Sequence, residues 1–157
     1  MENKKDSPGV YIPPPLFYIL IFFASLFLQK QFFIDDAPFH NPFAKIIGAF
    51  LIATASFFLF TSLRTFLRTR NTLILIKPAT SLQTGGIYRI SRNPMYVGLA
   101  FLYLGISCLA GNWWNMILFP FLIIVVGAFV IGPEERYLAR RFGQAYTDYK
   151  MTVHRWL

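Results

Sequence analysis

The sequence predicts an all-α integral membrane protein: four transmembrane helices followed by an amphipathic helix on the cytoplasmic side. Composition is the first indication, because 55% of the residues are hydrophobic and 14% are charged, whereas soluble domains average about 25% charged residues. The second is the presence of long uncharged runs, at residues 46–63 and 93–133. The length of 157 residues suits one membrane domain, 1–157.

The first predicted span covers approximately residues 14–31. Its uninterrupted apolar core, Leu16 to Leu28, has 13 residues, which is roughly 20 Å of helix, and a bilayer core is about 30 Å thick. The helix must therefore extend into Val10 to Pro15 or into Gln29 to Ile34, with Lys30 reaching to the interface. Because no small-x-small cleavage pattern follows Leu28, we expect a retained span rather than a cleaved signal peptide. A re-entrant segment that does not span fully is the alternative.

The other three spans follow from uncharged runs and their borders. Ile46 to Leu63 is bounded by Lys45 and Arg64, which predicts a span at approximately 45–66. The 41 uncharged residues from Asn93 to Pro133 are enough for two helices, at approximately 94–111 and 113–131, with a turn near Ala110-Gly111-Asn112. Pro94 suits the first turn of the third helix, after Asn93 as N-cap.

Two segments, 68–93 and 133–157, are predicted to form a cytoplasmic cap. Residues 71–90 favour an irregular stretch that turns at Gly85-Gly86. After the fourth span, Gly132-Pro133 is expected to end the helix, and a new one should begin with Glu134 and Glu135 in its first turn. An apolar stripe at helical spacing then predicts that this helix packs on the bundle: Leu138, Phe142, Ala145, Tyr146 and Tyr149.

The basic residues predict the orientation. With both termini cytoplasmic, 13 of the 15 basic residues fall on the inner side, as the positive-inside rule requires. The protein is thus predicted to be multi-pass, in a bacterial inner membrane or an ER-type membrane. The net charge of +8 then reflects topology beside an anionic leaflet and gives no reason to expect a nucleic-acid partner.

Several kinds of site are not expected. Cys108 is the single cysteine, so an intramolecular disulfide is impossible. His40 and His154 fall on opposite sides of the membrane in this topology, so no metal site is predicted. The chain contains neither a P-loop nor a GxGxxG fingerprint.

Polar residues on either side of the third and fourth spans are the main candidates for a site. Tyr88, Arg89, Arg92 and Asn93 precede the third span, and the Glu134-Glu135 pair follows the fourth. If the two spans form a hairpin, both groups meet at one membrane face. Convergent polar groups at the rim of an apolar bundle are what a reactive site for a lipid-soluble substrate requires.

The order of these motifs resembles the integral membrane methyltransferases, a family that includes isoprenylcysteine carboxyl methyltransferases and phosphatidylethanolamine N-methyltransferases. The similar pattern is GxYRxSRNPxYxG, two membrane segments, EExxLxxxFGxxYxxY and a closing VHRW. It covers about Leu82 to Trp156, roughly half of the chain. Each half alone is a weak signal, and both in order at hairpin spacing make a strong one.

The resemblance implies an S-adenosylmethionine-dependent methyltransferase whose lipophilic methyl acceptor enters from the membrane lipid bilayer. The implied catalytic residues are Glu134, Glu135 and Arg92. The implied cofactor-binding residues are Leu82, Gln83, Tyr88, Asn93, Pro94, Met95, Tyr96, Glu134 and Glu135, with Thr80 and Ser81 supplying backbone contacts. Carboxylates suit the ammonium or ribose of the cofactor, an arginine suits its carboxylate, and tyrosine suits the sulfonium or adenine.

Two departures from the family pattern bear on the acceptor. Asn93 stands where many members have histidine. Residues 93–133 contain no arginine, and Val130 occupies the turn where prenylcysteine enzymes carry one, which counts against a carboxylate acceptor. The amine, thiol and carboxylate classes and the oligomeric state stay open.

The same residues allow other interpretations. A membrane reductase of the sterol or steroid type, using NAD(P)H, shares a similar RxPxY pattern, and a small non-enzymatic scaffold is the third class. Glu134-Glu135 could be only a favourable helix start, Arg89 and Arg92 could anchor the loop to headgroups, and Tyr96 could be an interfacial anchor. Arg155 could bind substrate, a headgroup or nothing.

Overall fold

The computed structural model describes Gly9, residues 12–69, Ala79 and residues 81–157. Within these residues the secondary structure is entirely helical. It comprises α1 (Pro14–Gln31), α2 (Pro42–Arg68), α3 (Pro94–Ala110), α4 (Trp113–Val126), a π-helical turn (Gly127–Ile131), α5 (Gly132–Phe142) and α6 (Gln144–Thr152). Short 3-10 turns lie at Ala37–Phe39 and Gly86–Arg89. The predicted irregular stretch before Ala79 and the predicted contact at Thr80 fall outside the described residues.

The helices begin and end close to the predicted span borders. Prolines 14, 42 and 94 stand in the first turns of α1, α2 and α3, where the missing amide donor costs nothing. The Asn41 and Asn112 side chains cap α2 and α4 by accepting hydrogen bonds from the amides of Ala44 and Trp114, both at 2.9 Å. Asn93 precedes α3 but its side chain does not cap it, so this part of the prediction was wrong.

Close packing of α2 on α3 depends on glycine. A Cβ atom on Gly105 would lie 2.7 Å from Ile52 Cγ1 and 2.9 Å from the carbonyl oxygen of Gly48. A Cβ atom on Gly98 would lie 2.8 Å from Leu59 Cγ. The two helix backbones can approach this closely only without side chains at these positions, as is common between helices in membranes.

The connections place the candidate site at one end of the bundle. At the opposite end, the indole nitrogens of Trp113 and Trp114 donate hydrogen bonds to the carbonyl oxygens of Asp35 and Phe32, at 3.0 and 2.8 Å. These bonds join the α1–α2 connection to the α3–α4 turn. The segment before α3 and everything after the π turn therefore lie together at the other end.

The helix does not stop at Pro133, contrary to the prediction. Trp113–Phe142 is one continuous helix of 30 residues, and the π turn allows it to continue past the proline. The amide of Gly132 bonds to the carbonyl oxygen of Gly127, five residues back, and a wider turn of this kind relieves the helix near a proline, which lacks a donor and crowds the preceding turn. Glu134 and Glu135 are consequently not at a free helix start. A favourable interaction with the helix dipole therefore does not explain why two acidic residues stand here.

The single amphipathic helix predicted after the fourth span is instead two helices. Gly143 separates α5 from α6 with φ 55° and ψ −126°, a conformation that residues with a Cβ rarely adopt. Most of the predicted stripe still packs on the bundle: Tyr146 and Tyr149 are buried in a cluster with Tyr88 and Val97, against which the half-buried Leu138 and Phe142 pack. Ala145 is exposed. The break lets α6 fold back under the bundle.

The outer surface is apolar in the way a bilayer requires. Two helices, Pro42–Arg68 and Trp113–Phe142, are long and apolar enough to cross a membrane, and the apolar α3 is shorter. Large hydrophobic side chains project from several helices, among them Phe23, Phe50 and Phe129, each more than 60% exposed. So much exposed apolar surface is unusual for a soluble monomer.

Candidate active site

The centre of the candidate site is a hydrogen bond between the two halves of the sequence motif. The Tyr96 hydroxyl, on the first turn of α3, donates to Oε2 of Glu134 on α5 at 2.8 Å. The Tyr18 hydroxyl of α1 in turn donates to the Tyr96 carbonyl oxygen at 3.4 Å. The predicted meeting of the loop before α3 with the carboxylates after α4 is thus present in the structure.

Glu134 has an unusual electrostatic environment. It lies beyond the uncharged part of the preceding helix, which ends in the π turn at Ile131. The pKa of its carboxyl is raised to about 7: burial is the main cause, the hydrogen bond from Tyr96 partly opposes the rise, and the charge of the neighbouring Glu135 adds to it. Among the described residues, Glu134 has no cationic partner.

Tyr88 lies close enough to Glu134 for their charges to interact. Burial is the main cause that raises the pKa of the Tyr88 phenol, and the Glu134 carboxylate adds to the rise. The backbone of Tyr88 is also held in place, since its carbonyl oxygen accepts a 2.6 Å hydrogen bond from the Tyr149 hydroxyl. Tyr88 therefore lies near the hydrogen-bonded pair of Tyr96 and Glu134 at the end of the bundle.

Glu135, by contrast, is fully engaged by arginines. Its Oε1 lies 3.2 Å from Arg92 Nη2 and accepts a 3.2 Å bond from Arg155 Nε, and its Oε2 accepts a 2.5 Å bond from Arg155 Nη2. The side chains of Arg92 and Glu135 are each 8% exposed, and that of Arg155 is 42% exposed. This arginine–carboxylate–arginine group is mostly closed to solvent.

The chain end is also fastened to the loop before α3. The amide of Arg92 donates to the His154 carbonyl oxygen at 2.9 Å. The Arg155 carbonyl oxygen accepts bonds from Ser91 Oγ at 3.2 Å and from Asn93 Nδ2 at 2.9 Å. The Asn93 amide group is therefore already used inside the protein.

The remaining predicted residues lie around this centre. Leu82 packs on the cluster that contains Tyr88 and Tyr146. Gln83 donates from Nε2 to Ser81 Oγ at 2.8 Å. Pro94 is fully buried and Met95 is partly buried. The structure contains no group of three or more His, Cys, Asp or Glu side chains that could hold a metal within its described residues.

Sequence reasoning undervalued Arg155 and Ser91. Arg155 is the main partner of Glu135, and Ser91 bonds to the same chain end, 64 residues further along. The VHRW motif contained the signal, but only the fold shows that it closes on the SRNP motif. The contacts of Arg92 with Glu135 also show that this arginine is not simply a headgroup anchor.

The sequence is similar to known proteins over part of its length. Over 72 residues, or 46% of this chain, the sequence is 38% identical to the protein-S-isoprenylcysteine O-methyltransferase of Schizosaccharomyces pombe, of which it covers 30%. Over 66 residues, or 40% of this chain, it is 39% identical to an uncharacterized protein of Haemophilus influenzae, whose whole length is covered. The chain thus spans less than a third of the length of the yeast enzyme. No solved structure matches significantly.

The family model for phospholipid methyltransferases matches residues 43–145. This match begins at the start of α2 and includes α3, the π turn, both glutamates and the break at Gly143. It thus contains the residues that form the centre of the site, Tyr88, Tyr96 and Glu134. The chain belongs to the phospholipid methyltransferase family.

Proposed function

We propose that this protein transfers a methyl group from S-adenosylmethionine to a lipophilic acceptor at the cytoplasmic face of a membrane. The observation that carries the proposal is Glu134: a partly buried carboxylate with a raised pKa, hydrogen-bonded to a tyrosine and lacking a cation among the described residues. Burying such a group is unfavourable unless a positive charge compensates it. A ligand with an ammonium or sulfonium group would supply that charge.

The residues around Glu134 fit the cofactor in chemical type. Glu134 suits its ammonium or ribose hydroxyls, and the tyrosine rings of Tyr88 and Tyr96 suit a sulfonium or a flat adenine. Leu82 packs on the cluster that contains Tyr88, and Pro94 and Met95 precede Tyr96 in the first turn of α3. When bound, S-adenosylmethionine supplies an already activated methyl group. The protein then mainly has to position the reactants and exclude water.

The proposed topology has four spans with both termini in the cytoplasm. It rests on the basic residues and on the helix connections, which place the glutamates, the loop before α3 and α6 at one end of the bundle. Segments 81–93 and 133–157 then form the cytoplasmic cap. A lipophilic acceptor would approach from the bilayer, beneath this cap.

The acceptor atom should be neutral when it is attacked. The uncharged bundle offers no partner for an anionic acceptor, and Val130 is fully buried in the apolar core. An unpaired carboxylate would be strongly disfavoured there. A lipid amine or another small lipophilic nucleophile fits better. Of the two carboxylates, Glu134 is placed to accept the amine proton, because both oxygens of Glu135 already accept bonds from arginine.

Family membership favours a methyltransferase over the two other classes considered. A reductase would have to hold the pyrophosphate of a nicotinamide cofactor, and the uncompensated negative charge of Glu134 is unfavourable for such a ligand. A scaffold would have no need for a partly buried carboxylate without a counterion. Both remain outcomes of the test.

The test is ligand binding by the purified protein in detergent. S-adenosylmethionine should bind and NADPH should not, and binding of neither would favour the scaffold. Transfer of a labelled methyl group should then be measured with phosphatidylethanolamine, lipophilic amines, lipophilic thiols and a farnesylcysteine analogue. Efficient methylation of the farnesylcysteine carboxylate alone would overturn the neutral acceptor.

A further inference from the structure

The arginine–carboxylate–arginine group connects three parts of the chain that are far apart in sequence. Arg92 belongs to the loop before α3, Glu135 to α5, and Arg155 to the chain end after α6. The Arg92 backbone amide, the Ser91 hydroxyl and the Asn93 side-chain amide also donate to the carbonyl oxygens of residues 154 and 155, which joins the loop to the chain end a second time. We call the segment Val153–Leu157 with these contacts the C-terminal latch.

The latch ends on a side chain that packs on both halves of the core. Trp156 packs against the cluster around Tyr96, Leu122 and Val126 and against the cluster around Tyr88 and Tyr146. Tyr96 and Tyr88 are the two tyrosines beside Glu134. The chain end therefore packs on both clusters that contain these tyrosines.

We propose that Glu135 and Arg155 are positioning residues: through the C-terminal latch they hold Glu134 against Tyr96 and fix the loop that carries Tyr88, without touching the cofactor themselves. The inference rests on the proposed function for its effect on cofactor binding. Its structural part depends only on the contacts described above.

Because the two glutamates are adjacent, the latch affects the charge environment of Glu134 as well as its position. The charge of Glu135 raises the pKa of Glu134. Arg92 and Arg155 form ion pairs with Glu135 and partly offset its charge. The other titratable groups that face Glu134 among the described residues are Tyr96 of α3, Tyr88 of the 3-10 turn and Tyr146 of α6. Changing either latch residue should therefore change the protonation of Glu134.

The two latch residues should act in opposite directions on this protonation. Arg155→Met removes a positive charge that offsets Glu135, so the pKa of Glu134 should rise. Glu135→Gln removes the negative charge itself, so the pKa should fall. A residue that only stabilised the fold would not produce opposite shifts.

Arg155→Met is the primary test, because the Arg155 side chain is partly exposed. After its removal Glu135 is still paired with Arg92, so no buried charge is left without a partner. Arg140→Met is the matched control, since Arg140 is an exposed arginine on the same helix as Glu135. Arg155→Lys is the conservative variant. Each variant is measured as the full chain in detergent. Trp113 and Trp114 are replaced by Phe, so that the tryptophan fluorescence comes from Trp156 alone.

We expect Arg155→Met to weaken S-adenosylmethionine binding by about tenfold or more, as small misplacements in a site do, and Arg155→Lys to recover part of it. The pH midpoint of binding should move up in Arg155→Met and down in Glu135→Gln. Trp156 fluorescence should become more accessible to acrylamide in Arg155→Met and stay unchanged in Arg140→Met. Unchanged affinity and unchanged Trp156 accessibility in Arg155→Met would overturn the proposal.

The readouts separate this proposal from the proposed function. If the parent protein binds no S-adenosylmethionine, the proposed function fails, and Trp156 accessibility still decides whether the latch exists. If the parent binds the cofactor and Arg155→Met binds it equally well with the same pH midpoint, only the positioning role fails.

Discussion

The hydroxyl of Tyr96 and the carboxylate of Glu134 are joined by a 2.8 Å hydrogen bond across 38 residues of sequence. This bond connects the first turn of α3 with α5, and no cation balances the carboxylate among the described residues. A single pair of side chains thus marks the place where the two motif halves meet.

Replacing Glu134 should separate cofactor binding from stability. Glu134→Gln should weaken S-adenosylmethionine binding by about 1.5–3 kcal/mol, the usual range for a hydrogen bond to a charged group. Isothermal titration calorimetry checks this, with the exposed Asp148→Asn as control. Unchanged affinity in folded Glu134→Gln protein would remove Glu134 from the site.

The same variant should stabilise the ligand-free protein above neutral pH. Because the pKa of Glu134 is raised from 4.5 to about 7 by folding, the folded state binds more protons than the unfolded state between these values, and stability falls as pH rises through that window. Glu134→Gln removes this loss. Its melting temperature should exceed that of the parent at pH 8 and approach it at pH 4.5, and equal melting temperatures at pH 8 would contradict the raised pKa.

Cofactor affinity should depend on pH near neutrality. A cationic ligand favours ionised Glu134, so affinity should fall as pH drops below about 7, and binding at neutral pH should release protons. Calorimetry in buffers of different ionisation enthalpy measures that release. In Tyr96→Phe the lost hydrogen bond no longer opposes the raised pKa, so the midpoint should move to higher pH; a midpoint that moves down would argue against this assignment.

Glycine packing between α2 and α3 should be sensitive to a single methyl group. In Gly105→Ala the new Cβ would meet Ile52 and the backbone of Gly48 at less than 3.0 Å, and overpacking of this kind costs about 1–3 kcal/mol. Gly127→Ala is the control, since nothing lies within 4 Å of its Cβ position. Thermal denaturation in detergent should show a lower midpoint for Gly105→Ala only.

The four-span topology can be tested by labelling. In a Cys108→Ser background, a cysteine introduced at position 83 should be labelled from the cytoplasmic side and be protected from an impermeant reagent applied to intact cells. A cysteine at position 36, in the opposite connection, should behave in the reverse way. Labelling of position 83 from outside would contradict both the orientation and the proposed site.

Most helix borders could be predicted from the sequence because they coincide with local signals. Charges flank the apolar part of α2, prolines stand at three helix starts, and the Gly111-Asn112 turn interrupts a long uncharged run. Each of these signals acts through residues close by in sequence. The meeting of Tyr96 with Glu134 was also predictable, since a hairpin of two spans brings its ends together.

The errors arose where non-local packing decides the conformation. Pro133 is a helix breaker by local rules, yet the π turn at Gly127–Ile131 carries the helix past it. Asn93 has the right side chain for an N-cap, but the chain end offers it a different acceptor, the carbonyl oxygen of Arg155. The partnership of Arg155 with Glu135 depends on how α6 folds back at Gly143, which no pattern in the sequence specifies.

The π turn also determines which glutamate faces the site. One extra residue in a helical turn rotates everything beyond it by about 100° relative to a regular α-helix. The choice between Glu134 and Glu135 as the carboxylate next to Tyr96 is therefore made several residues earlier, among side chains that carry no charge. The residue count between Trp113 and Glu134 is then as much a part of the site as the carboxylates themselves. A regular α-helix with the same number of residues would turn Glu134 away from Tyr96 without altering any polar side chain.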